Sequence, residues 1–313
     1  MTGVTKVVIA TRRSPLALWQ AEHVKARLAA LHPRLALELL PLSTRGDELV
    51  DVSLTKVGGK GLFVKELEGA LAASRADIAV HSMKDVPAEL PEGFRLAAIL
   101  AREDPRDALV SPRFEKLSSL PAGAIVGTSS LRRQAQIAER YPGLEIRPLR
   151  GNVETRIAKL DRGDYAAIVL AAAGLKRLGL ESRIRSYLAI EEVLPAAGQG
   201  ALGIECLAAR ADLLELLAPL EDGASSACVR AEREVNRALG GSCTIPLGAF
   251  AEARGAREGA RLRLRAIVAS PDGKRVVRAE GEGEASAPES LGLRVAALLR
   301  ERGAAEILAA LGQ

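Results

Sequence analysis

The chain is poor in sulfur, imidazole and rings. Three cysteines (Cys206, Cys228, Cys243) and three histidines (His23, His32, His81) are spread over 313 residues, and aromatic side chains make up 3%. No CxxC pair occurs and no histidine lies at metal-ligand spacing from a cysteine, so neither a metal site nor a disulfide framework is expected. An odd number of cysteines without a secretion signal fits a reducing compartment, where a free thiol can persist as a nucleophile. Long apolar runs are missing too. The longest, Ala166 to Leu175, is too short to cross a bilayer and contains Gly174. Met1 leads almost directly into the strand-like Val7-Val8-Ile9-Ala10, so a cytoplasmic protein that does not engage a membrane is expected.

What the chain has in quantity is small aliphatic side chains and arginine. At 48% hydrophobic and 27% charged it is globular, with cores of Leu, Val, Ile and Ala, and its length exceeds one core, so two or three domains are expected. Of 44 basic residues 34 are arginine, giving a formal charge of +5 and a pI near 9.3. Most of these read as coding bias or thermal adaptation. Those at strand-to-helix junctions are different, because planar donor forks suit carboxylates or phosphates. Nucleic acid is disfavoured as a partner: the basic residues are not interleaved with aromatics and acidic residues nearly match them in number.

The first two hundred residues alternate β-rich runs with helical periodicity: Val7 to Ala10, a helix from Pro15, Leu35 to Leu42, a helix from Phe63, then Ile78 to Val80. The pattern restarts at Ala124 to Gly127, with helices from Leu131 and Val153 and strands around Ile146 and over Ala166 to Leu170. Two similar α/β domains with largely parallel sheets are implied. After about Leu220 a helix over Ser225 to Leu239 precedes alternating segments Leu262 to Val268 and Arg275 to Glu282, joined by Pro271-Asp272-Gly273 and followed by helices from Glu289. This predicts a small antiparallel α+β domain.

Several segments could carry chemistry. Val80-His81-Ser82-Met83-Lys84-Asp85-Val86-Pro87 follows a buried-looking strand, at the edge where α/β sites lie. Read by spacing alone, Asp85 is more readily a turn cap or a partner of Lys84 than a carboxylate that steadies a cation and moves a proton. Thr55 to Phe63 is glycine-rich and basic without P-loop order; it is a solvated loop, or a lid with Lys56 and Lys60 facing anions and Phe63 available to stack. Thr11-Arg12-Arg13-Ser14-Pro15 and Thr128-Ser129-Ser130-Leu131-Arg132-Arg133 each carry a strand into a helix through hydroxyls and arginines, which is how helix N-termini hold anions. With Arg150, Arg156 and Lys176-Arg177 they are too many for one small anion and point to a ligand with several carboxylates. Cys206 reads as a buried strand residue, whereas Cys243 follows Gly240-Gly241-Ser242 in what should be an exposed loop.

In order and spacing, ATRRSPLALWQ, VGGKGLFVKELE, VHSMKDVP, GTSSLRRQAQ, LRGNVETRIAKL, LPAAGQGALGIE and GGSCTIP resemble the hydroxymethylbilane synthase (porphobilinogen deaminase) family over essentially the whole chain. The resemblance implies two periplasmic-binding-protein-like (type II) α/β domains around a cleft and a small α+β C-terminal domain with a three-stranded antiparallel sheet. Domain 1 would span 1–101 and 197–219, domain 2 102–196 and domain 3 220–313. It implies a dipyrromethane cofactor on a thioether to Cys243, to which four porphobilinogens are added with loss of ammonia before water releases the linear tetrapyrrole. It implies Asp85 as the catalytic residue. Arg12, Ser14, Lys84, Thr128, Ser130, Arg132, Arg133, Arg150, Arg156 and Arg177 would hold the acetate and propionate groups of cofactor and substrate. Lys56, Lys60 and Phe63 would belong to a mobile loop and Gln199 to the cleft. A monomer is expected, handing its product to a uroporphyrinogen-forming enzyme. The rival is a clamshell binding protein without chemistry, which would have no use for Cys243 on a separate domain. Ser242 departs from the glycine that many relatives carry before the cysteine.

Overall fold

The structure, a computed structural model, describes residues 3–44, 64–240, 245–254 and 260–311. The chain packs as two compact units, Met1–Glu103 with Ala201–Ser226 and Asp104–Gly200 with Ala227–Gln313.

The first unit is built on β1 (Lys6–Arg12), α1 (Pro15–Leu31), β2 (Ala36–Leu42), α2 (Lys65–Ala72), β3 (Ile78–Ser82) and β4 (Phe94–Ile99). Late in the chain it gains β10 (Leu202–Leu207) and α6 (Ala211–Leu217). Its sheet has the order β2-β1-β3-β10-β4, and only β10 runs against the others. The apolar run of β1 follows from cover on both faces. Val7 and Ile9 pack with Ala21, Val24 and Leu28 of α1, while Ala10 packs with Leu67, Ala70 and Leu71 of α2. Helix α1 starts where the sequence predicts: Pro15 occupies its first turn, and the Ser14 hydroxyl accepts the Ala17 N–H at 3.4 Å.

The second unit repeats the plan with β5 (Asp107–Val110), β6 (Ile125–Gly127), α3 (Leu131–Arg140), β7 (Glu145–Arg147), α4 (Val153–Asp161), β8 (Ala167–Ala171), α5 (Ala172–Arg177) and β9 (Ile184–Tyr187). The order is β7-β6-β8-β5-β9, with β5 the reversed strand. Alternate residues again feed two cores: Ala108, Val110, Ile168 and Leu170 point one way, Leu109, Ala167 and Val169 the other. Both sheets therefore have the periplasmic-binding-protein-like (type II) strand order.

The C-terminal part of this unit is a three-stranded antiparallel sheet, β11 (Leu247–Arg254), β12 (Arg261–Ala269) and β13 (Val276–Glu284), with α7 (Gly223–Ala238, of which it holds the part from Ala227), α8 (Pro288–Glu301) and α9 (Ala304–Ala309). One face of the sheet shares a core with these helices, through Leu262, Leu264, Val235, Leu291, Val295 and Ile307. The β12–β13 turn lies over Pro271-Asp272-Gly273, as the residues predict. Gly273 has φ +71°, and a Cβ there would run into the backbone of Glu139 at the end of α3. Among the described residues no helix is long and apolar enough to cross a membrane.

Candidate active site

In the first unit, β1 and β3 are parallel neighbours, so the segments leaving their carboxyl ends lie side by side. Arg12 closes β1, and Met83–Asp85 form a single 3₁₀ turn after β3. Arg12, Gln20, His81, Ser82 and Asp85 line one pocket there, floored by Ala17, Val64 and Val80. Gln20 is buried on α1 and donates its Nε2–H to Ser82 Oγ at 2.8 Å, which fixes α1 to the strand end. The turn is pinned at two points. The Met83 N–H donates to the Ala201 carbonyl at 3.0 Å, and the buried Met83 side chain lies over Gly203, where a Cβ would overlap its sulfur. Lys84 and Asp85 are carried half-buried on this anchored turn, and Ser14 stands at the head of α1.

In the second unit the matching edge is formed by the ends of β6, β7 and β8. Thr128 is buried; its N–H donates to the Arg147 carbonyl and its hydroxyl accepts the Ser130 N–H at 3.2 Å. Ser130 caps α3, its hydroxyl accepting the Arg133 N–H at 3.5 Å. The Ser129 hydroxyl both donates to the Leu149 carbonyl at 2.9 Å and accepts the Leu149 N–H at 3.0 Å. This double link brings the Thr128–Ser130 segment beside Arg150-Gly151-Asn152 and the head of α4, where Asn152 caps the helix through the Thr155 N–H at 2.8 Å. Gly151 has φ +108° and leaves no room for a Cβ against Thr155. Arg156 reaches back to donate to the Gly151 carbonyl at 2.8 Å, and Arg177, at the end of α5, donates to the Gly200 carbonyl at 2.7 Å.

Arg132 and Arg133 differ from the other arginines. Both are buried, and between them lies Asp107, the first residue of β5, with no exposed surface. Asp107 accepts from Arg132 Nη1 at 2.8 Å, from Arg133 Nη2 at 2.8 Å and Nε at 3.1 Å, and from Gln199 Nε2 at 2.9 Å. Burial alone would push this carboxyl up; the Arg132 and Arg133 guanidiniums outweigh it and hold Asp107 below the ordinary carboxylate range. Sequence reading missed Asp107. In Glu103-Asp104-Pro105-Arg106-Asp107 it looks like one more solvated loop charge, and the only available signal was that Ala108-Leu109-Val110 directly after it is apolar. It also placed Arg132 and Arg133 as carboxylate holders without seeing that the chain supplies a carboxylate of its own. Arg132 nevertheless keeps its buried Nε–H without a hydrogen-bond partner.

The structure thus gathers Arg12, Ser82, Lys84 and Asp85 at one strand edge, and Thr128, Ser130, Arg132, Arg133, Arg150, Arg156, Arg177 and Gln199 around the other. Cationic forks, hydroxyls and helix N-termini form both donor sets, and the unpartnered Arg132 Nε–H adds a donor. Such sets fit a ligand with several carboxylates such as dipyrromethane. Cys243, Lys56, Lys60 and Phe63 lie outside the described residues. Cys206 and Cys228 are buried, and burial raises the Cys206 thiol to about 11, which leaves it inert.

Comparison with known proteins agrees with this donor chemistry. A family model described as porphobilinogen deaminase, dipyrromethane cofactor binding domain, matches residues 7–215, and the C-terminal domain of the same family matches residues 226–301. The chain is 60% identical to the porphobilinogen deaminase of Paraburkholderia phytofirmans over 308 residues, covering 97% of this chain and 89% of the relative. To that of Thiobacillus denitrificans it is 58% identical over 305 residues, covering 97% and 98%. Among solved structures, the periplasmic aliphatic sulphonate binding protein SsuA from Escherichia coli aligns with a TM-score of 0.42 at 12% identity, covering 74% of this chain and 70% of that one. With both family domains matched in order and relatives this similar along nearly their full length, the chain belongs to the porphobilinogen deaminase family.

Proposed function

We propose that the chain is a hydroxymethylbilane synthase, joining four porphobilinogen molecules head to tail with loss of four ammonia and releasing the linear tetrapyrrole by hydrolysis. The observation that carries this reading is the pocket at the ends of β1 and β3, where an acid, Asp85, and a guanidinium, Arg12, line one opening on a turn pinned by Met83. Loss of ammonia leaves a positive charge spread over a pyrrole ring. A carboxylate fixed in place before the reaction stabilises that charge better than water that must reorient, and Asp85 can also accept a pyrrole proton.

Every porphobilinogen brings two carboxylates, so binding is largely a matter of matching acids to fixed donors. Arg12, Ser14 and Lys84 serve at the first edge, and Thr128, Ser130, Arg132, Arg133, Arg150, Arg156 and Arg177 at the second. The dipyrromethane cofactor, held through Cys243, supplies the pyrrole carbon to which the first substrate is joined. We assign Lys56, Lys60 and Phe63 to a loop beside the site and Gln199 to its lining. We further propose three domains (1–101 with 197–219, 102–196, and 220–313), a cytoplasmic monomer, and transfer of the product to an enzyme that closes the macrocycle.

Intact-mass measurement tests the assignment. The purified chain should exceed its translated mass by two linked pyrroles, and Cys243→Ser should not. A wild-type chain at its bare mass that still converts porphobilinogen at full rate would overturn the proposal.

A further inference from the structure

One buried carboxylate of the second unit has no part in the reaction as described. Glu232, on α7, has no exposed surface. Its Oε2 accepts the Gly198 N–H at 2.7 Å, and its Oε1 accepts the Ala251 N–H of β11 at 2.8 Å. A carboxylate is acceptor-only and has two oxygens, so it suits two N–H groups that converge on it, whereas an amide in its place would turn an NH₂ toward one of them. Out of water, an acid is tolerated where bonds of this charge-assisted kind replace its hydration. Through them Glu232 ties a strand of the C-terminal sheet to the segment 194–200.

That segment is a rack for two of the binding arginines. The Leu194 carbonyl accepts from Arg132 Nη1 at 2.6 Å, and the Gly200 carbonyl accepts from Arg177 Nη2 at 2.7 Å. Buried between them, Gln199 donates its Nε2–H to the Pro105 carbonyl at 2.7 Å and to Asp107 Oδ1 at 2.9 Å, while its Oε1 accepts from Arg132 Nη2 at 3.4 Å. Gly198 and Gly200 have φ of +72° and +92°, and the Gln199 N–H donates to the Ala196 carbonyl at 3.0 Å, so the chain turns tightly around Gln199. Upstream, the Pro195 carbonyl accepts the Ala249 N–H of β11 at 3.0 Å. Displacing Gly198 therefore displaces Gln199 and the Gly200 carbonyl with it, and these are acceptors that orient Arg132 and Arg177.

We propose that Glu232 is a positioning residue for carboxylate binding by Arg132 and Arg177: it fixes Gly198 and, through Gln199 and the Gly200 carbonyl, the direction in which the two guanidiniums point. Loss of this hold weakens the grip on the substrate's acids and spares the chemistry, because Asp85 belongs to the first unit and is anchored by contacts of its own. The inference rests on the proposed function for its kinetic readout and on spectroscopy of the resting chain for an independent one.

Kinetics and spectroscopy of a few variants test it. Glu232→Gln should raise KM for porphobilinogen about tenfold with kcat within about twofold of wild type, the pattern of lost binding. Gln199→Leu should raise KM as well, and the double variant should be no worse than the more severe single one, because both act through the same turn. Val235→Ala, on the same helix and buried in the C-terminal core, should lower stability with KM unchanged, which separates positioning from lost packing. In ¹⁵N spectra of the resting chain, Glu232→Gln should move the Gln199 side-chain amide and the Arg132 and Arg177 guanidinium signals and leave that of Arg12 in place. Should Glu232→Gln not fold, Glu232→Asp, which keeps two acceptor oxygens on a shorter stem, replaces it in both measurements with the same expected directions. An unchanged KM, a KM rise matched by Val235→Ala, additive effects with Gln199→Leu, or unmoved Arg132 and Arg177 signals would overturn the inference while leaving the proposed function standing. A wild type that makes no tetrapyrrole would instead remove that function, and the guanidinium signals would still decide the role of Glu232.

Discussion

Two buried arginines sharing one aspartate make Asp107 the residue whose loss should be felt most. Asp107→Ala leaves the Arg132 and Arg133 guanidiniums without their counter-charge and should cost about 3–5 kcal/mol, read as a lowered urea midpoint at unchanged slope. Because the folded state holds the Asp107 carboxyl below its unfolded value, the stability it contributes is complete above about pH 4 and drains away as pH falls toward the depressed folded value. Glu68 has the opposite sign. Its raised carboxyl, lifted by burial, contributes stability that is present below the unfolded glutamate value and is lost as pH rises through the folded one, so above that point Glu68→Gln should be more stable than wild type in denaturant titrations. Asp85→Asn belongs to the other class of residue. Half-buried on a turn, it should leave stability nearly unchanged and lower kcat by about a hundredfold, since a neutral amide no longer offsets charge on the ring. Among individual residues, Asp85 and Arg12 stood out in the sequence because they occupy strand ends. Asp107 did not, because what makes it notable is a pair of guanidiniums far away in sequence, and spacing carries no trace of such a pairing.

At the scale of elements the alternation of strand and helix was readable wherever a run was apolar on both faces or a helix began at a hydroxyl cap. β1, α1, β3, α3 and β8 all satisfy this. β4, β5 and β11 were not singled out. β5 is four residues long and opens with the charged Asp107, β4 mixes Arg95 into its run, and β11 ends in alternating charges at a sheet edge. The reversed direction of β10 depends on where the chain returns after a long excursion, and that of β5 on β8 and β9, which come later in the chain; local pattern encodes neither. Two elements meet through glycines that permit no side chain. Gly203→Ala pushes against Met83 and through it the Asp85 turn, so it should reduce kcat by a larger factor than its effect on unfolding predicts. At the β12–β13 turn, Gly273→Ala combines a left-handed backbone with a clash against Glu139, and thermal unfolding should show a loss of about 1–3 kcal/mol with little effect on chemistry.

For the whole molecule, the excess of arginine is a store of positive charge that a bound polycarboxylate offsets. A ligand that binds the folded chain and not the unfolded one raises the melting temperature by mass action. A covalently held acid does the same without dilution. The Cys243→Ser chain should therefore melt below wild type, and added sulfate should narrow the gap by occupying the same donors, a comparison that calorimetry reads directly. Composition anticipated a polyanionic ligand at this scale, whereas the identity of the ligand came from ordered motifs and from relatives, because many acids would satisfy the same count of arginines.

On the proposed assignment of Arg132 and Arg133 to the ligand's carboxylates, the acid buried between them would bear on turnover as well as on stability. A guanidinium that already has its own acid offers a visiting one only its leftover directions, so it can recognise the guest without gripping it. For a catalyst that must let a lengthening polyanion slip forward ring by ring, an internal competitor of this kind keeps each foothold temporary.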